Sequence, residues 1–297
     1  MLRSIFFLIP FLTFQSCRSQ KAETLPSQKD DNSLLWEISG KGLKEPSYLF
    51  GTFHLMCKKD IAFSTNLLKG LERSNELYLE MDLDDAANTL GAIFFMNMKD
   101  GKTLKDLYTP EDYNRLEHFF KDSLQTGLSL FQKMKPNFLE AMLYPKMMPC
   151  AQMSGIEQEL MIIAKKQNKT INGFETIAFQ AGIFDSIPYE KQAEALLQTI
   201  DSIESYSKTF NSMLEVYQKQ HLDELQHLLD QEPGFSDTKE VMLDNRNKNW
   251  VIQLREILPE KNIFIAVGAG HMVGENGLIS LLKKEGYTLR PIENTTK

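Results

Sequence analysis

Cysteine is scarce in this chain of 297 residues: Cys17, Cys57 and Cys150 are all it has, and none of them forms a Cys-x-x-Cys pair. That excludes a zinc ribbon and a thioredoxin-type redox motif. Blocks of basic charge are missing too. Thirty-three Lys and Arg stand against forty Asp and Glu, interspersed along the body, for a net charge of −7. A nucleic-acid surface gathers its basic residues on one face or helix, so nucleic acid is not an expected partner. Beyond the first seventeen residues no segment is long and apolar enough to span a bilayer. No repeat is obvious at solenoid periods. With only five histidines in the chain, the place of each one carries weight.

What is present begins at the N-terminus. MLRSIFFLIPFLTFQSC carries Arg3, an apolar run from Ile5 to Phe14 and small Ser16 before Cys17, the shape of a secretory signal. The small residue ahead of Cys17 resembles a bacterial lipoprotein processing site, after which the cysteine would carry lipid. Phe14 stands where leucine is usual, and an ordinary cleaved signal or an uncleaved anchor are the alternatives. Residues 18–33 are polar and read as a flexible tether, leaving 34–297 as the folded domain. The implied setting is the bacterial envelope, with the chain held to a membrane through an N-terminal lipid. In that oxidising compartment Cys57 and Cys150 are expected to form one disulfide, buried free thiols being the alternative.

Within the body, Leu34–Ile38 and Tyr48–Phe50 flank a Gly-containing connection as an antiparallel hairpin would. A helix is predicted over 64–74 and a strand over 76–83. That strand is expected to place Tyr78, Glu80 and Asp82 on one face. Residues 86–165 read as helical, ending in a helix over 156–166, with a strand over 170–174 and helix again from 189 to about 229. The last elements are a helix over 241–258, the apolar strand NIFIAV, a helix over 277–285 and a closing strand over 287–292. The fold class is therefore mixed α/β: a central mixed sheet built from the terminal segments, with a large helical insert.

One pattern recurs. Gly51-Thr52-Phe53-His54 and Gly268-Ala269-Gly270-His271 are both Gly-x-x-His, and both follow an apolar strand. Glycine at a strand end permits a sharp turn or a positive φ, and ligands gather beyond the carboxyl ends of strands. The two histidines meet if strands 48–50 and 262–267 are neighbours. Glu80 is the natural third member, since two imidazoles and a carboxylate suit a first-row divalent ion with open positions for water. A metal-free reading stands beside it, with one histidine as general base oriented by a carboxylate. His118, His221 and His227 lie in polar helical stretches and are expected to be solvated. Glu175, Thr176 and Gln180 cluster at a strand end, where Thr176 could simply cap a helix. Arg246 could clamp an oxyanion or make a surface ion pair.

These residues together resemble the TraB/PrgY/GumN superfamily, which includes the Tiki metalloproteases, and more distantly the erythromycin esterases. The carrying stretches are SYLFGTFHL, ELYLEMDL, GIEQELMIIAKKQNKTINGFETIAFQ, LDNRNKNW and IFIAVGAGHMVGENGLISLLKKEGY, in the family's order over nearly all of 34–292. The resemblance implies that His54 and His271 are the paired histidines and Glu80 the acid after the first motif. It places Glu175 on the Gly-Leu-Glu-Thr element, here with Phe174 for leucine, and Arg246 and Asn247 on the Arg-Asn pair. Where the family often has Gly-Ile-Asp or Gly-Val-Asp, this chain has Gly155-Ile156-Glu157. The longer side chain argues against a fixed role for that acid. The implied activity is a manganese- or cobalt-dependent peptidase, zinc being a further option, acting on a peptide or small-molecule substrate. His54, Glu80 and His271 would hold the metal, with Glu175 as general base and Arg246 as an oxyanion or substrate contact. The alternatives are a metal-independent esterase-like hydrolase and a non-catalytic lipoprotein that binds a peptide or haem-like ligand.

Overall fold

A computed structural model describes residues 25–26, 31–82, 94–231 and 235–295. Cys17 and the segment read as a signal lie outside them.

Eight short strands occur in chain order: β1 (Leu35–Ser39), β2 (Ser47–Thr52), β3 (Met56–Cys57), β4 (Glu76–Met81), β5 (Met153–Ser154), β6 (Thr170–Glu175), β7 (Ile263–Gly268) and β8 (Thr288–Pro291). Six make one mixed sheet in the order β6-β4-β7-β2-β1-β8. β6, β4, β7 and β2 run parallel, while β1 is antiparallel to both β2 and β8. The expected mixed fold class is what forms, but the sheet is not built from the two ends of the chain alone: β6, from its middle, pairs with β4 at one edge.

The parallel strands explain their own sequences. A central strand covered on both faces must be apolar throughout, and all six residues of β7, IFIAVG, are buried. β2 is likewise buried along its length. In β4 successive side chains take opposite faces as expected, but the face of Tyr78 and Glu80 is buried too, at 8% each. Both faces of this strand meet protein. Helix α1 (Thr65–Arg73) packs against β2 and β7 and is capped by Ser64, whose hydroxyl accepts from the Leu67 N–H.

Helices α2 (Pro110–Ser123), α3 (Pro136–Ala141) and α4 (Tyr144–Met147) lie in the insert, and α5 (Ile156–Lys166) runs from its end back to β4 and β6. The helical span from 189 breaks into α6 (Tyr189–Asp201), α7 (Ile203–Gln218) and α8 (Leu222–Gln231). The breaks fall where Ser202 leaves the helical region and Gln220 takes a φ of 60°. Leu104, Leu116, Phe120, Leu139, Leu143 and Leu196 give the insert a hydrophobic core apart from that of the sheet. A two-residue ladder between β3 and β5, which sequence periodicity could not reveal, ties the insert back to the first Gly-x-x-His turn. Beside it Cys57 and Cys150 are joined by a disulfide.

Leu25, assigned from sequence to the tether, is 3% exposed, and the Leu25 and Pro26 carbonyls accept from Arg290 and Glu293. Among the described residues no helix is long and apolar enough to cross a membrane.

Candidate functional site

The four parallel strands all point their carboxyl ends at one edge, and each delivers a polar side chain there. β2 and β7 are direct neighbours, with Thr52 opposite Gly268, so the two Gly-x-x-His turns leave the sheet side by side. β4 lies next to β7 and contributes Glu80, and β6 ends on Glu175. The condition for the two histidines to meet is thus fulfilled. Neither motif glycine adopts a positive φ, however. Gly268 is needed for close approach, since a Cβ there would stand 3.1 Å from Glu80 Oε1 and 3.3 Å from His54 Nε2.

Glu80 is the hub. Its Oε1 accepts from the Gly268 N–H at 2.8 Å and stands 3.9 Å from His54 Nε2 and 3.7 Å from His271 Nε2. Its Oε2 accepts from Arg246 Nη2 at 2.7 Å and from Gln180 Nε2 at 3.3 Å. Burial alone would raise this carboxyl. His271 and His54 in their charged forms, Arg246 in its permanent one and the Gly268 N–H outweigh burial and hold it well below the usual carboxylate range.

His271 has a determinate tautomer. Arg246 has only N–H groups to offer, so its Nη1, 3.1 Å away, requires Nε2 of His271 to accept. The proton is therefore on Nδ1, which donates to Asn247 Oδ1 at 2.6 Å. The Asn247 amide cannot be reversed, because its Nδ2 donates to the carbonyls of Asn276 and His271. Burial, with a further push from Arg246 against the pull of Glu80, lowers this imidazole to about 3, so it is neutral near pH 7.

His54 presents the opposite case. Its side chain is 69% exposed, and Nδ1 lies 2.7 Å from Glu157 Oε1. Surrounding protein lowers its proton affinity, but Glu157, through charge and hydrogen bond, and then Glu80 raise it to about 9. Because water reaches the ring, part of that attraction is screened. The expectation that Glu157 has no fixed role is corrected here. It is buried, and the same Oε1 accepts from the Thr52 hydroxyl at 2.5 Å. Its extra methylene carries the carboxylate from the first turn of α5 to the back of the His54 ring.

Arg246 lies at the start of helix α10 (Asn245–Ile257), just after the π-helical turn at Glu240–Asp244; α9 (Phe235–Lys239) precedes that turn. It is neither on the surface nor free to receive an oxyanion. All five of its N–H groups are engaged: Nε with Glu175, Nη1 with the Met242 carbonyl and His271, Nη2 with Glu80 and Glu175. Glu175 is similarly occupied, accepting from Arg246, from Gln180 and from Trp250 Nε1 at 2.8 Å. A carboxylate whose lone pairs meet fixed donors is better built to hold Arg246 in place than to take a proton. Trp250 completes the wall, its ring 4.4 Å from that of His271 and beneath the Arg246 guanidinium. Thr176 caps the following short helix, Ile177–Ile183, as one sequence alternative had it. His118, His221 and His227 are exposed, as expected. A cavity of about 210 Å³, lined by Phe179, Ile183, Ser186, Val241, Asn245, Arg246 and Asn249, opens beside Arg246.

Among the described residues no group of three or more His, Cys, Asp and Glu forms a ready metal cage. Two of the donor separations are nonetheless compatible with a shared ion. Two ligands at about 2.1 Å from a shared metal stand at most about 4.2 Å apart, and the 3.9 Å and 3.7 Å separations from Glu80 Oε1 fall within that limit. Each imidazole also has its Nδ1 held from behind, as metal-bound histidines do.

Comparison with known proteins gives the family. The TraB/PrgY/gumN family model matches residues 34–291, and the chain belongs to that family. It is similar to Metalloprotease TIKI1 of Danio rerio, 23% identical over 88% of this chain and 63% of the relative. The human Metalloprotease TIKI1 is likewise 23% identical, over 89% of this chain and 63% of its own length. An uncharacterized protein, YbaP of Shigella flexneri, is 24% identical over 80% of this chain and 88% of that protein. The chain thus spans less than two thirds of the length of these two metalloproteases.

Proposed function

We propose that this chain is a metal-dependent hydrolase of the cell envelope, a Tiki-like peptidase acting on a peptide. The observation that carries the reading is the convergence of His54 Nε2 and His271 Nε2 on one oxygen of Glu80, from two Gly-x-x-His turns on adjacent parallel strands. The metalloprotease names of the relatives point the same way.

His54, Glu80 and His271 would hold the ion, manganese or cobalt with zinc as a further option. Bound there, it would polarise a scissile carbonyl and make its water acidic enough to act as nucleophile near neutral pH. His271 meets the ligand requirement with a neutral ring whose Nε2 would exchange its hydrogen bond from Arg246 Nη1 for the ion. Arg246 keeps Glu80 ionised and holds both Glu80 and Glu175 stationary, so the carboxylate need not reorganise when a substrate arrives. Glu175 acts as the anchor of Arg246. The cavity beside Arg246 offers room for an apolar side chain near the reacting centre, as a peptide substrate requires. Attachment through a lipid on Cys17 belongs to the same proposal and would place the activity at a membrane of the envelope.

The test is hydrolysis of a peptide library by the full chain in detergent, after chelation and after return of Mn²⁺, Co²⁺ or Zn²⁺. Cleavage should depend on one of these ions and vanish in His54→Ala and His271→Ala. A second reading rests on the His54–Glu157 contact, which gives an esterase-like site a histidine oriented by a carboxylate. Chelator-resistant ester hydrolysis lost in His54→Ala would favour it. Tight ligand retention without turnover, unchanged in His54→Ala, would favour a binding lipoprotein and sink both.

A further inference from the structure

We infer that Glu157 is a positioning residue: with Thr52 it holds the His54 ring so that Nε2 faces Glu80, and a covalent clamp holds Glu157 in turn. The inference rests on the metal-dependent reading above. Three observations lead to it.

The first is the contact itself. An exposed imidazole at a turn is free to rotate, and a rotated ring presents no fixed donor. Glu157 Oε1 removes that freedom by meeting Nδ1 at 2.7 Å, and the Thr52 hydroxyl pins the same oxygen at 2.5 Å. Thr52 is the last residue of β2, so the brace is referred directly to the sheet.

The second is the way the two segments are bound together. The Phe53 carbonyl accepts from the Ile156 N–H at 3.2 Å, β3 pairs with β5, and the Lys58 N–H reaches the Gln152 carbonyl. The Cys57–Cys150 disulfide closes the far side of this ladder. Residues 53–58 and 150–157 therefore behave as one unit, although about a hundred residues of chain separate them. Gly155 sits so close that a Cβ on it would lie 2.6 Å from the His54 carbonyl oxygen.

The third is an internal comparison. Asn247 does for His271 what Glu157 does for His54, using an amide oxygen. An acceptor of the right reach is what the two sites share, and charge is not.

The experiment measures metal binding apart from turnover. Full-length protein stripped with chelator is titrated with Co²⁺, and its visible ligand-field absorption gives both affinity and coordination geometry. Removing such an outer partner costs about ten- to a hundredfold in affinity. Glu157→Ala is expected to fall in that range with an altered spectrum. Glu157→Gln, whose amide oxygen still accepts from Nδ1, should stay within a few fold of wild type. Gly155→Ala removes no polar group and should weaken Co²⁺ as Glu157→Ala does, by pushing α5 away from His54. Thermal unfolding of the metal-free variants checks that each is folded. Wild-type affinity and spectrum in both Glu157→Ala and Gly155→Ala would overturn the inference while leaving the metal site intact. Equal losses in Glu157→Gln and Glu157→Ala would also overturn it, because charge would then be the operative property. Failure of the wild-type protein to bind Co²⁺ would bring down the metal reading and this inference with it.

Discussion

His54 and His271 each stand three residues after a glycine at the end of a parallel strand, yet the first side chain is 69% exposed and the second 5%. The partner behind each ring follows from that difference. A carboxylate behind a buried imidazole would draw a proton into the interior, and a buried charge is expensive. His271 therefore has a neutral amide behind it, from Asn247. His54 reaches water and can carry a charged partner, so Glu157 serves. One motif thus yields a ring fixed by the core and a ring fixed by a brace, and the two should fail differently.

The largest expected effect comes from removing what the two turns share. Arg246→Met leaves Glu80 and Glu175 buried without their cation, and breaking a buried pair from one side costs about 3–5 kcal/mol. Urea unfolding should register that loss, and a variant as stable as wild type would show that water replaces the guanidinium. Next, His271→Ala removes a buried ring packed against Trp250 and strands Asn247, which should cost about 1–3 kcal/mol. His54→Ala should cost less, about 1 kcal/mol, since the ring is exposed and Thr52 still donates to Glu157, while abolishing metal-dependent hydrolysis equally. Equal stability losses in the two would erase the distinction between core-fixed and braced rings.

Gly268→Ala probes the point where the turns face each other. Its Cβ would press on Glu80 Oε1 and His54 Nε2 at 3.1 Å and 3.3 Å, so activity should drop about tenfold with the fold retained. The smallest effect is on the pH dependence of stability in metal-free protein. His271, held to about 3 against an ordinary 6.5, binds fewer protons folded than unfolded, so stability is lost as pH falls from about 6.5 toward 3. His54, held at about 9, binds more protons folded, so its contribution is present below 6.5 and is lost as pH rises through 9. Solvent screening limits the alkaline loss to about 1 kcal/mol or less. His54→Gln should flatten that alkaline limb only, and an unchanged limb would show that the charge on His54 does not couple to folding.

β7 was legible as a strand because a strand buried on both faces needs an uninterrupted apolar run, and IFIAV is one. The paired Gly-x-x-His turns made His54 and His271 visible, and Glu80 followed from its place on β4. What stayed hidden lacks a local signature. The β3–β5 ladder is two residues long on each side, too short for any periodicity. Glu157 looked misplaced because its side chain is longer than the usual aspartate, and only the approach of α5 to residues 53–54 gives that length a use. Arg246 has partners 71 and 166 residues away, so nothing in its neighbourhood announced a saturated strut. The helical insert was legible as helix but not in its breaks, since Ser202 and Gln220 carry no glycine or proline signal.

Strand polarity also decides how the molecule would stand. β1 runs opposite to the four strands that carry the site, so its first residue, Leu35, lies opposite Phe50 near their carboxyl ends. β8 finishes there as well, with Pro291 opposite Trp36 and the Ser33 hydroxyl on the Ile292 carbonyl. The chain enters and leaves the sheet at the edge that presents the histidines. Leu25 and Pro26 are docked on Arg290 and Glu293, so an anchor at Cys17 would pull on the domain through β8 and the segment that follows it, beside the strands that carry the histidines.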